Sequence, residues 1–249
     1  MSTEAEAEAA WYTCTDLRPM CGLLRGKDRG RKFRLFACAC CRRIAHLLSD
    51  ERSHRALDVF ERFLDGELTM KEYSFGEREA AEACAAQARI AGASESARGI
   101  SEADRVRLFA SMFAAQAVTD CFGTVASAAA DCRGAIRGYG TAELMDDAQL
   151  REVGERIDAA ECAAQAALLR DIFGNPFQPI ALEPAWRTDA VVKLARQMYV
   201  SGDFEAMPDL ADALQDAGCD NERILNHCSY AALTHVRGCW VVDMLLGKA

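Results

Sequence analysis

The chain has 249 residues, 51% of them hydrophobic, and its formal net charge at pH 7 is −9. It contains 46 Ala and 22 Leu but only 19 Ile and Val together, so helix-forming residues far outnumber strand-forming ones. So many apolar residues with only 5 Pro exclude a disordered or fibrous chain. The composition predicts an all-α protein of one domain or two small ones.

The first predicted feature is a disordered acidic tail over residues 1–10. Apolar residues at helical spacing then predict an antiparallel, Ala-rich helical bundle over residues 11–175. The phrase Ala-Ala-Gln-Ala begins at Ala85, Ala114 and Ala163, and these unequal spacings argue against a solenoid. The predicted bundle helices are 16–24, 31–48, 49–65, 76–91, 102–137 and 147–173, with connections at 92–99 and 138–140.

A turn after the last bundle helix gives the clearest predicted boundary. Gly174 can end a helix in the left-handed conformation, and Pro176 and Pro179 then prevent the helix from restarting. Alanine becomes less frequent beyond this turn. Residues 180–249 are therefore predicted to form a small helical subdomain packed on the bundle, with helices at 189–200, 208–217, 221–228 and 236–246.

The apolar runs and the cysteines bear on the cellular location of the protein. No apolar run approaches the ~18 residues of a membrane-spanning helix, and the acidic start does not resemble a signal peptide. We therefore expect no membrane association and a cytoplasmic location. In a reducing compartment the 12 Cys are expected to be thiols rather than disulfides.

Residues 25–43 form a basic segment whose net charge is +7, which leaves −16 for the rest of the chain. Within it, Arg31, Lys32 and Arg34 are the predicted contacts for an acidic protein partner. The alternative is that the segment pairs with acidic residues of its own chain. Nucleic acid is the least favoured partner, because the acidic field of the whole chain repels a polyanion.

A cluster of potential metal ligands lies near the C-terminus. Cys219, His227, Cys228, His235 and Cys239 fall within 21 residues. Tetrahedral zinc needs four nitrogen or sulfur donors, and a small subdomain of short helices is where a structural metal stabilises most. The alternative is a set of core residues, with His235 bonded to a backbone carbonyl.

A second group of cysteines lies early in the chain, at Cys38, Cys40 and Cys41. A Cys-x-x-Cys pair on a helix places two sulfurs about one turn apart, which suits half of a zinc or iron–sulfur site or a redox pair. The alternative is that these are structural thiols of the core. Cys84, Cys121 and Cys132 are interpreted as small hydrophobic residues on Ala-rich helix faces.

Three segments resemble a known family: residues 31–43 (RKFRLFACACCRR), 171–177 (DIFGNPF) and 235–243 (HVRGCWVVD). They are similar to an uncharacterised bacterial family of helical proteins with a variable Ala-rich centre. The resemblance covers about half of the chain. It implies a helical fold and no activity, ligand or catalytic residue.

The sequence contains no nucleophile elbow, phosphate-binding loop, His-Glu-x-x-His motif or Rossmann glycine pattern. The favoured hypothesis is therefore a cytoplasmic helical interaction or scaffold module rather than an enzyme. The alternative is a zinc-binding protein that uses the C-terminal cluster. A third hypothesis is a thiol-dependent enzyme with a cysteine nucleophile paired with His227 or His235.

Overall fold

The structure is a computed structural model that describes residues 3–24, 30–230 and 234–248. Within these residues it contains twelve α-helices, two short 3-10 helices and no β-strand, which confirms the predicted all-α fold. None of the described helices has both the length and the apolar character needed to cross a membrane. The helices are α1 (Glu4–Thr13), α2 (Leu17–Leu23), α3 (Gly30–Arg43), α4 (Glu51–Leu64), α5 (Met70–Ser96), α6 (Glu102–Cys121), α7 (Val125–Thr141), α8 (Asp147–Phe173), α9 (Asp189–Ser201), α10 (Met207–Asp216), α11 (Glu222–Ser229) and α12 (Trp240–Leu246).

Packing divides the chain into two compact units. Unit 1 consists of Met1–Lys32 and Ala166–Ala249, and unit 2 of Phe33–Gln165. This division differs from the predicted boundary at 175–180, because the N-terminal helices pack with the C-terminal part of the chain. Trp11 donates its ring N–H to the Gly174 carbonyl at 2.9 Å. The two ends of the sequence therefore belong to one unit.

Unit 2 is the Ala-rich antiparallel bundle. In it α4 packs on α5, α5 on α6 and α6 on α7. Small residues allow close approach of these helices: a Cβ atom at Gly76 would lie 2.7 Å from a methyl carbon of Val59, and one at Gly140 would lie 2.6 Å from a methyl carbon of Ile157. The predicted bundle is confirmed.

Several predicted helix ends in unit 2 are wrong. The predicted helix 102–137 is two helices, α6 and α7, because the chain turns at 122–124 although its apolar periodicity continues on both sides. The predicted connections at 92–99 and 138–140 lie largely within α5 and α7. Gly92, Gly138 and Gly140 are tolerated there because tertiary packing outweighs the propensity cost of about 1 kcal/mol per glycine.

The N-terminal segment is helical where a disordered tail was predicted over residues 1–10. Helix α1 begins after Thr3, whose hydroxyl and backbone N–H form a capping box with Glu6. The helix is fixed by Trp11, which is fully buried. Residues 1 and 2 lie outside the described residues.

The C-terminal part of unit 1 has its own hydrophobic core, as the predicted helical subdomain requires. In it α9 packs on α10 and α12, and α10 packs on α11. Helix α12 begins at Trp240, not at the predicted residue 236, because Gly238 has a positive φ of 94° and breaks the helix before Cys239. The core residues include Trp186, Val191, Tyr199, Leu214, Ile224 and Val242.

Candidate metal centre

Four side chains of unit 1 meet at one point, and we call them the mixed-donor site. Asp171 lies in the last turn of α8, and His227 lies near the end of α11. His235 lies in the segment before α12, and Cys239 is the N-cap residue that immediately precedes α12. Each offers one ligand atom, and these four atoms all lie within 4.8 Å of one another. Such a group can hold a metal ion.

The distances within the mixed-donor site show that both imidazoles face the same centre. Asp171 Oδ1 lies 2.8 Å from His235 Nδ1 and 3.2 Å from His227 Nε2. Cys239 Sγ lies 3.2 Å from the same His227 nitrogen and 3.9 Å from the same His235 nitrogen. One nitrogen of each ring therefore faces both the carboxylate and the sulfur.

Backbone contacts hold the mixed-donor site together. The second oxygen of Asp171 accepts the backbone N–H of Val236 at 3.0 Å, which ties the segment before α12 to the end of α8. Gly174 ends α8 with a φ of +62°, and a Cβ atom there would lie 3.0 Å from the Trp240 ring. The ring of Trp240 in turn lies 5.1 Å from that of His227, centroid to centroid. Glycine at 174 thus permits the approach that brings Asp171 near the histidines.

The charges in the mixed-donor site follow from burial and hydrogen bonding. Burial of Asp171 opposes its ionisation, but hydrogen bonds and charge from His227 and His235 outweigh it and hold the pKa of Asp171 below its usual range. Burial, reinforced by the charge of Asp171, raises the pKa of Cys239 well above its usual value. Without a metal, the site at neutral pH therefore contains a carboxylate and a neutral thiol.

Of the five predicted metal ligands, three converge and two do not. His227, His235 and Cys239 belong to the mixed-donor site. Cys219 and Cys228 are buried in the hydrophobic core of unit 1 instead. Burial, followed by the charge of Asp171, raises the pKa of Cys228 to about 12. The predicted ligand set is therefore wrong for Cys219 and Cys228, which are small core residues.

The fourth member of the site, Asp171, does not belong to the ligand set that the sequence predicts. It is a buried carboxylate on a helix end whose neighbours Leu168, Leu169 and Ile172 are fully buried and apolar. A buried charge must be paired or bound to a metal. Residue 171 falls on the apolar face of α8, where an aspartate is expected to be buried and to need such a partner. That position is the signal in the sequence that could have identified Asp171.

The predicted partner-binding residues contact their own chain. Arg31 donates to Asp243 at 2.7 Å and to the Tyr199 hydroxyl at 2.6 Å. Lys32 donates to the Ile172 carbonyl at 2.9 Å, and the Arg34 guanidinium lies 5.9 Å from the centroid of the Phe60 ring. Residues 25–29 of the basic segment lie outside the described residues. A role for this segment in partner binding stays a prediction.

Comparisons of the chain with protein-family models, with curated proteins and with solved structures found no match. The resemblance carried by residues 31–43, 171–177 and 235–243 stays a prediction. The function is therefore inferred from the geometry of the chain itself.

Proposed function

We propose that the protein binds one zinc ion through Asp171, His227, His235 and Cys239, and that the ion stabilises unit 1. The observation that carries the proposal is the convergence of four ligand atoms, one from each residue, within 4.8 Å. Ligand atoms bound to one tetrahedral zinc at about 2.0–2.3 Å lie about 3.3–3.8 Å apart. The separations in the mixed-donor site, from 2.8 to 3.9 Å for the close pairs, need only small shifts to match.

The direction of the ring nitrogens favours a metal over a catalytic triad. In a triad the histidine uses one nitrogen for the nucleophile and the other for the orienting carboxylate. Here His227 Nε2 faces both Cys239 Sγ and Asp171 Oδ1. Cys239 is also fully buried, which leaves a substrate no route to the sulfur. The thiol-dependent enzyme is therefore not the function that we propose.

The types of donor atom in the mixed-donor site indicate which metal it would bind and whether that metal would be structural or catalytic. Two imidazoles, one thiolate and one carboxylate suit zinc, which accepts nitrogen, sulfur and oxygen ligands in a tetrahedron. Four protein ligands leave no open position, as is usual for structural rather than catalytic zinc. The ion would join the end of α8, the end of α11 and the start of α12. A cavity of about 470 Å³ beside Asp171 and His227 offers an entry path.

The wider role that we propose is that of a zinc-stabilised helical module. A protein-interaction or scaffold function, favoured by the sequence, remains compatible with a metal that only stabilises the fold. A cytoplasmic location belongs to the same proposal, because 12 free thiols suit a reducing compartment.

The experiment is metal analysis of tag-free protein after exposure to zinc and removal of the excess. We expect one zinc per chain and a melting temperature that falls when a strong chelator is added. The His227→Ala/His235→Ala variant should retain no zinc, and the chelator should not change its melting temperature. Substoichiometric zinc in the wild type, or equal zinc in this variant, contradicts the proposal.

Two buried thiols provide a matched control. Cys239→Ala removes a proposed ligand, whereas Cys228→Ala removes an equally buried sulfur outside the mixed-donor site. Because Cys239→Ala removes one ligand, we expect it to weaken zinc binding by about tenfold or more. Cys228→Ala should leave zinc binding unchanged. Equal effects of the two would contradict the ligand set.

A further inference from the structure

Unit 2 contains a second concentration of potential ligands, which we call the sulfur group: Cys38, Cys41, Cys121 and Cys132. Cys41 Sγ lies 3.3 Å from Cys121 Sγ and 3.9 Å from Cys132 Sγ. Cys38 lies one turn before Cys41 on the same helix. All four side chains are at most 1% exposed. They come from three helices: α3, the end of α6, and α7.

We propose that the sulfur group is a binding site for Cu(I), with Cys41 as the shared ligand. This site is independent of the zinc site in unit 1. Thiolate sulfur is a soft donor, and a site made of sulfur alone selects soft cations, among which Cu(I) is monovalent and accepts few ligands. Cys41 Sγ is in contact with the sulfurs of Cys121 and Cys132, so an ion that separates Cys41 from either of them is bound by two sulfurs.

The arrangement of the sulfurs favours Cu(I) over the other soft ions. Zinc needs four donors around a single point, whereas the only such group among the described residues is the mixed-donor site. An iron–sulfur cluster needs space between the cysteines for several irons and sulfides, and sulfurs 3.3–3.9 Å apart leave none. Two or three sulfurs beside a monovalent ion also bury less charge than four thiolates, and buried charge is costly.

The surroundings of Cys41 support its role as the shared ligand. Its sulfur lies within 3.9 Å of both Cys121 Sγ and Cys132 Sγ, which come from two other helices. An ion bound to Cys41 can therefore take its second sulfur from either neighbouring helix. A disulfide does not account for the contacts, because bonded sulfurs lie about 2.05 Å apart.

The test is a competition for Cu(I) under anaerobic, reducing conditions. The protein is titrated into the Cu(I) complex of bathocuproine disulfonate, and loss of the coloured complex measures transfer. The titration uses the Cys239→Ala chain, so that the mixed-donor site contributes no thiolate. We expect uptake of at least one Cu(I) per chain by this variant, whose zinc affinity is at least about tenfold below that of the wild type. A failure here leaves the zinc proposal intact, since that proposal is tested in the wild type with zinc alone.

Two neighbouring residues of α3 supply the decisive pair of variants. Cys41→Ala should weaken Cu(I) binding by at least about tenfold. Cys40→Ala should not change it: Cys40 is equally buried, but neighbouring residues of a helix point about 100° apart, so its side chain is directed away from that of Cys41. Circular dichroism checks that both variants are folded. If Cys41→Ala does not fold, Cys121→Ala and Cys132→Ala replace it, and each should weaken binding.

Three results would overturn the proposal. The first is no uptake of Cu(I) by the Cys239→Ala chain. The second is equal uptake by folded variants with and without the Cys41 thiol, or with and without both the Cys121 and Cys132 thiols. The third is retention of zinc in preference to Cu(I), which would leave a sulfur site but not a copper site.

Discussion

The mixed-donor site of unit 1 and the sulfur group of unit 2 hold their polar atoms in different ways. In the mixed-donor site an ionised Asp171 accepts hydrogen bonds from two imidazoles and from the Val236 backbone. In the sulfur group the thiols contact one another within the apolar core of an Ala-rich bundle. The first arrangement depends on a buried charge, whereas the second can exist with none.

Burial alone is therefore a poor guide to which cysteines bind a metal, and contact with other donor atoms, which both groups show, is the stronger indication. A neutral thiol is stable in an apolar core because it behaves as a small hydrophobic residue. Leaving it without a metal therefore costs little free energy. A buried carboxylate must have hydrogen-bonding or charged partners. In the mixed-donor site two histidines are these partners, and their ring nitrogens already face one centre. We therefore expect the two groups to respond differently to truncation, to pH and to neutralisation of nearby charges.

The largest expected difference is in the cost of removing one member from each group. Asp171→Ala leaves the Val236 N–H and the His235 ring N–H without their acceptor, and breaking such a buried pair costs about 3 kcal/mol or more. Cys132→Ala only deletes a small buried sulfur, at about 1 kcal/mol. Urea unfolding of the metal-free proteins at pH 7 measures both changes in the free energy of unfolding.

An exposed aspartate provides the control for this comparison. Asp212 lies on the solvent side of α10, and Asp212→Ala should change the free energy of unfolding by less than about 0.5 kcal/mol. If Asp171→Ala proves no more costly than Cys132→Ala, the buried carboxylate does not hold the mixed-donor site together.

The sequence predicted the fold better than it predicted the site. Helix α8 begins and ends where its apolar periodicity predicts, because a long amphipathic stripe and a terminal Gly174 agree. The break between α6 and α7 was missed, since the apolar spacing continues across the turn at 122–124 and only tertiary packing selects the turn.

The sequence predicts three of the four members of the mixed-donor site and does not distinguish them from neighbouring core residues. His227 and Cys228 are adjacent, yet one joins the mixed-donor site and the other the hydrophobic core. Neighbouring residues of a helix point about 100° apart, and the sequence does not say which direction faces a third element. Asp171 lies 56 residues before His227 in the sequence, so only the folded chain brings them together.

The zinc affinity of the mixed-donor site should depend on pH through Cys239. Because burial and the charge of Asp171 raise the pKa of Cys239 well above its usual value, this thiol is neutral at pH 7. Zinc needs the thiolate, so binding releases a proton, and zinc affinity should rise about tenfold per pH unit between pH 7 and pH 8. Competition with a zinc indicator at the two pH values measures this rise. A pH-independent affinity would mean that Cys239 is not a ligand.

The smallest expected effect concerns a carboxyl group beside the sulfur group. Burial, the charge of Asp120 and a hydrogen bond with it raise the pKa of Asp131 to about 6. A carboxyl with a raised pKa binds more protons in the folded than in the unfolded chain between about pH 4 and pH 6. The free energy of unfolding therefore falls as the pH rises through this range, and the full penalty is present at pH 7.

Asp131→Asn removes this penalty and should stabilise the protein at pH 7 by about 1 kcal/mol, a value reduced for the solvent exposure of the carboxyl. At pH 4, where Asp131 is protonated in the folded chain, the same substitution should change little. Urea unfolding at both pH values measures the difference, with the exposed Asp212→Asn as the control. Equal effects at pH 4 and pH 7 would mean that the charge of Asp131 is not what opposes folding. A gain confined to pH 7 would show that unit 2 tolerates charge around its thiols at a cost, whereas unit 1 depends on the charge within its site.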